Sequence, residues 1–154
     1  KRNSKRNWIA NTVISDLINT VPAKRVLVVA DSCYSGSLTS SSLARADQSL
    51  SDSDRLLWLR AMAQSKARIA LTSGGLKPVA DSGTSKHSLF AEAFIEVLQA
   101  NQGILEGQRL YGLLYPQVIL AAQSLNLQQQ PRYAPIRHAG HESGEFFFLP
   151  RRPG

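Results

Sequence analysis

The sequence predicts an α/β domain with parallel strands, and three observations lead there. Residues 26–30, Val-Leu-Val-Val-Ala, form an unbroken and mostly β-branched apolar run, the pattern of a strand covered on both faces of a parallel sheet. A second short run, Ile69-Ala70-Leu71, ends as the first does in a small polar turn, here Thr72-Ser73-Gly74-Gly75. Around both lie segments whose apolar residues recur every three or four positions, the spacing of helices with one buried face.

Residues 1–7 are polar and basic and read as a loop. Asn11 and Thr12 are candidate caps for a helix through Thr20, with Ile14, Leu17, Ile18 and Val21 as its buried face and Pro22 as its stop. Residues 37–54 are rich in Ser, Asp and Ala, show no apolar period and read as a long loop. Leu56, Leu57, Leu59, Arg60 and Met62 then point to a short helix capped by Asp52 or Ser53. Residues 77–86 carry Pro78, Asp81 and Gly83 and read as another loop. An amphipathic helix over residues 88–101 follows, its stripe made of Leu89, Phe90, Ala93, Phe94, Val97 and Leu98, with Gly103 just past its end. A further helix covers residues 108–126, kinked or broken by Pro116. Residues 128–135 are extended, and residues 145–149 form a last aromatic strand.

A chain of 154 residues is one domain or part of one, with enough length to bury a core. No apolar run approaches the roughly 18 residues of a membrane span, so no membrane role is expected. The net charge of +7 raises the question of nucleic acid. The bases are scattered, however, except at the ends (Lys1, Arg2, Lys5, Arg6, Arg151, Arg152), and the aromatics are too dispersed for a stacking platform. No nucleic-acid partner is expected. The single cysteine excludes an internal disulfide and fits a reducing compartment such as the cytoplasm, although one thiol decides little.

That cysteine, Cys33, falls where the 26–30 run gives out, in Asp31-Ser32-Cys33-Tyr34-Ser35-Gly36. Chemistry in open α/β sheets gathers at the carboxyl ends of strands, and Gly36 permits a sharp turn there. The residues alone leave two readings open, a nucleophile and a small buried thiol. As a nucleophile it must be a thiolate, and with an ordinary pKa near 8.5 it needs a base or cation beside it. Ser32 and Ser35 lie in no Gly-x-Ser-x-Gly elbow. His138 and His141 have no zinc-type partners, no Asp-rich calcium loop is present, and no metal site is expected.

The Cys33 segment resembles the nucleophile segment of the caspase-like cysteine peptidases, in their metacaspase and bacterial orthocaspase branch. The likeness continues in order through Arg68-Ile69-Ala70-Leu71-Thr72-Ser73-Gly74-Gly75, Lys86-His87-Ser88-Leu89-Phe90-Ala91 and Tyr133-Ala134-Pro135-Ile136-Arg137-His138-Ala139-Gly140-His141-Glu142. It implies a three-layer sandwich with a mostly parallel central sheet. It implies a cysteine endopeptidase in which the base is the His of a His-Gly pair, on a strand before the nucleophile strand. No His precedes Cys33 here, so residues 1–154 are expected to be the carboxyl-terminal part of a catalytic domain whose upstream strands are absent. That upstream part is then the chain's first partner. Without it, His87 suits a substrate-side or capping role better than that of base, and the isolated chain should be inactive.

The resemblance also assigns the remaining roles. One oxyanion donor would be the Cys33 N–H and the other the Gly after the upstream His. Asp31 would hold an Arg or Lys before the scissile bond, a role suited to a carboxylate. The alternative for Asp31 is a turn cap. Asp81 is a candidate second acid of that pocket, and Ser73 and Gly74 would line the cleft for an extended peptide. Residues 37–67 would contain a processing region, with Arg45, Arg55 and Lys66 as basic points for a cut. No cofactor is implied, and calcium activation stays open. The expected function is cleavage of proteins or peptides after Arg or Lys; the alternative is a non-catalytic caspase-like scaffold.

Overall fold

A computed structural model describes residues 10–31, 51–74 and 87–150, and Cys33, Arg45 and Asp81 lie outside the described residues. In chain order the elements are α1 (Asn11–Thr20), β1 (Arg25–Ala30), α2 (Asp52–Gln64), β2 (Ala67–Thr72), α3 (Leu89–Ala100), β3 (Leu105–Glu106), α4 (Gly107–Ser124), β4 (Arg132–Pro135) and β5 (Phe147–Phe148). The fold is a mixed α/β arrangement of four helices and a small mixed sheet among the described residues. None of these helices is long and apolar enough to cross a membrane.

The three-stranded sheet has the order β1-β2-β4. β1 and β2 run parallel, with Ala30 opposite Thr72. β4 runs antiparallel to β2, with Leu71 opposite Tyr133. The described sheet is therefore mixed rather than mostly parallel. The strand buried on both faces is β2, every residue of which is buried. Residues 26–30 were expected in that place. Instead β1 lies at the edge of the described sheet, half-buried, with Val29 43% exposed. A continuous apolar run marks a buried strand but does not order the strands.

Strand side chains alternate between faces, and each face meets helices. On one face Ile18 of α1 packs with Ala70, Ile136 and Ala139, supported by Ile14, Val26 and Val28. On the other, Ile69, Leu71 and Tyr133 meet Phe90, Ala93 and Val97 of α3 and Leu110, Leu114 and Val118 of α4. Full burial of each such aliphatic side chain is worth about 1.5–3 kcal/mol, so this second cluster holds the domain together. α3 keeps the expected stripe and is capped by Ser88. Pro116 does not break α4, which continues to Ser124.

Several local expectations change. α1 starts after Ala10, so Asn11 and Thr12 are helical rather than caps, and Leu17 is 62% exposed rather than buried. α2 begins at Asp52, inside the stretch read as loop, and its cap is Ser51, whose hydroxyl accepts from the Asp54 N–H at 3.2 Å. The aromatic tail yields only the two-residue β5, paired antiparallel with β3, an element with no sequence signal. Just before β5 in the chain lies a buried polar knot: the Tyr133 hydroxyl donates to the Glu145 carboxylate, which also accepts the Phe146 N–H at 2.6 Å. Burial pushes both the Tyr133 phenol and the Glu145 carboxyl up from their ordinary ranges. Gly107 is required there, since a Cβ would fall on the Tyr133 hydroxyl. Arg55 of α2 reaches the same region and pairs with the buried Glu106 at 2.8 Å.

Arg68, buried in β2, ties the α1–β1 connection down through bonds to the carbonyls of Lys24 (3.1 Å) and Val21 (3.0 Å). Its backbone N–H donates to His141 Nδ1 at 3.1 Å, which requires that nitrogen to be unprotonated. Burial lowers the His141 pKa, with Glu142 opposing and Arg68 adding. The fold therefore disfavours the imidazolium, and the stabilising contribution, complete above the ordinary pKa near 6.5, is lost as the pH falls through the lowered value. Urea unfolding at pH 7.5 and 5.0 is expected to show a smaller pH loss in His141→Gln than in the parent; equal losses would remove His141 from this role.

Candidate functional site

Because β1 and β2 are parallel and in register, their carboxyl ends open on one edge. The Ser73 N–H bonds to the Ala30 carbonyl at 3.1 Å, so the chain beyond β2 stays beside the chain beyond β1. Asp31, Ser73 and Gly74, three of the residues singled out from sequence, are the first residues past those strand ends. Asp31 is exposed, whereas Ser73 is buried. The N–H that Ser73 gives to Ala30 is not available to a peptide.

Gly74 sits at φ +65°, and a Cβ there would land on the Gln130 carbonyl oxygen. The Gln130 N–H in turn reaches the Gly74 carbonyl at 3.4 Å. The residues before β4 thus continue the antiparallel pairing out to the edge and brace the turn after β2. Gln129, next to them, is buried, and neither its amide atoms nor the Thr72 hydroxyl has a partner among the described residues. Unsatisfied buried groups of this kind cost about 1–3 kcal/mol each.

A third element arrives from α3. Ser88 ends the chain's approach to that helix with extended dihedrals (φ −66°, ψ 159°), and its Oγ accepts the Ala91 N–H at 3.0 Å. The same hydroxyl donates to Asp31 Oδ2. The carboxylate lies one hydrogen bond from the amino end of α3, where negative charge is favoured. Sequence reading placed Ser88 at the start of the helix, but no local signal joins it to a residue 57 positions away.

Of the three histidines, His87 alone lies at this edge, beside Ser88 and exposed. His141 contacts Arg68 near the amino end of β2, at the opposite end of the sheet from Asp31. Cys33 and Asp81 fall outside the described residues, so the edge is described by Asp31, Ser73, Gly74 and Ser88. A cleft of about 580 Å³, lined by Glu96, Arg109, Ile104 and Leu113 among others, lies at the far end of α3 and is separate from it. Among the described residues no group of three or more His, Cys, Asp or Glu could hold a metal ion. No protein-family model, curated protein or solved structure matches the chain.

Proposed function

We propose that the chain is the carboxyl-terminal part of a caspase-like cysteine endopeptidase that cuts after Arg or Lys, with Cys33 as its nucleophile. The observation that carries this reading is the place of Asp31. An exposed carboxylate stands at the shared carboxyl edge of two parallel strands, two positions before the only thiol in the sequence. A sheet covered by helices on both faces agrees with a three-layer sandwich. β1 stands at the edge of the described sheet, and in this reading the upstream strand bearing His-Gly would pair with it.

In this reading the upstream His takes the Cys33 proton, and the thiolate attacks the peptide carbonyl. The C–N bond then breaks as the His returns the proton to the leaving amine, giving an acyl-enzyme that water hydrolyses. The Cys33 N–H and the Gly after the His face the developing oxyanion, each such donor being worth about 3–4 kcal/mol. Asp31 pairs with the cationic side chain before the scissile bond. Left exposed, such a charge pair is worth only about 0–1 kcal/mol; once bound peptide covers it, losing a partner costs about 2–5 kcal/mol, enough for roughly 10²-fold selectivity.

The test uses the chain extended upstream through the expected His-Gly strand. Fluorogenic peptide amides ending in Arg, Lys or Leu are compared by kcat/KM. Arg and Lys are expected to exceed Leu by about 10²-fold. Equal turnover of Leu would end the specificity assignment, and absence of any turnover leaves the non-catalytic scaffold as the reading of this fold.

A further inference from the structure

We infer that Ser88 is a positioning residue for Asp31, fixing the carboxylate that meets the basic side chain; this deepens the reading above and rests on it. A serine hydroxyl has one proton and two lone pairs. At Ser88 a lone pair is taken by the Ala91 N–H of α3, and the proton goes to Asp31 Oδ2. One atom therefore caps a helix and orients a carboxylate on a different strand. α3 is itself held by Phe90, Ala93 and Val97 in the larger core cluster, so the hydroxyl is delivered from a rigid element.

The consequence is preorganisation. An exposed Asp can turn about two side-chain torsions and would have to be ordered whenever a cation binds. Ordering a side chain at an interface costs about 0.5–1.5 kcal/mol, which corresponds to roughly a 2- to 10-fold loss of affinity. With Oδ2 held by Ser88, that cost is met in folding, and among the described residues Oδ1 is left for a guanidinium or ammonium. Ser88 touches no substrate in this scheme and acts only through Asp31.

The experiment is a binding cycle in the upstream-extended protein carrying Cys33→Ala, read by fluorescence anisotropy with labelled Arg and Leu peptides. Ser88→Gly removes the hydroxyl while costing only a few tenths of a kcal/mol as a helix cap, so the melting temperature stays close to the parent's. It is expected to weaken the Arg peptide about 5-fold and leave the Leu peptide unchanged. Ser88→Thr should restore Arg binding, and in an Asp31→Asn background Ser88→Gly should have no further effect. Losses that multiply, or that fall equally on the Leu peptide, would overturn the inference, as would an Arg peptide bound no better than Leu by the parent. If the protein with Cys33 intact does not cleave while the cycle behaves as expected, the peptidase reading fails and this one stands. Cys33-dependent, Arg-selective cleavage with no response to Ser88→Gly reverses that outcome.

Discussion

Replacing Cys33 by Ala is expected to reduce hydrolysis of an Arg peptide amide by about 10³-fold or more in the upstream-extended protein. The size follows from the proposed mechanism. Alanine offers no atom that can form the acyl-enzyme, and what remains is the help that oxyanion donors and binding give to direct attack by water. Binding should be spared, because Ala is smaller than Cys and Asp31 is untouched; the Arg peptide should keep its Kd to within about 3-fold. Steady-state kinetics and anisotropy on the same preparation separate the two quantities. Unchanged turnover in Cys33→Ala would remove the peptidase assignment, whatever the specificity.

The second large effect concerns stability. Gly74→Ala places a side chain at φ +65° and drives its Cβ into the Gln130 carbonyl. The left-handed conformation alone costs roughly 1–2 kcal/mol for a residue with a Cβ. The backbone clash adds to it, since Gln130 is tied to this turn through its own N–H and its main-chain carbonyl cannot swing away as a side chain would. A total of about 3 kcal/mol is expected, or a fall of roughly 10 °C in melting temperature. Gly112→Ala is the contrast: it lies within α4, with nothing within 4 Å of the added carbon. There Ala should stabilise by about 0.5–1 kcal/mol. Equal melting temperatures for the parent and Gly74→Ala would mean that the turn after β2 is not braced as described.

What could be read in the sequence was whatever local periodicity encodes. α3 emerged almost whole because Phe90, Ala93 and Val97 repeat on one face between Ser88 and Asn101. The end of β2 was legible from the polar turn after Leu71, which placed Ser73 and Gly74 at a strand end. Leu17 and Val29 show the limit: an apolar residue in the right period says nothing about which neighbours cover it, and both are exposed. β3 was invisible because two residues carry no pattern, and it exists only through its pairing with β5. For the candidate site, the sequence nominated Asp31 through resemblance, while Ser88 became a partner only once β1 and α3 converged in space.

The pairing of Arg55 has a consequence when the folded domain is regarded as a target of cutting rather than its agent. A peptidase that reads cationic side chains must draw the scissile segment out straight and receive the charged group in its own acid pocket. Arg55 sits in a helix with its guanidinium held by Glu106 and the Ile104 carbonyl, and the main chain of Lys66 is fastened at both its N–H and its carbonyl to Glu142. Neither offers a loose strand. Arg55 and Lys66, two of the basic residues between positions 37 and 67, are therefore poor targets for such a cut for as long as the domain stays folded.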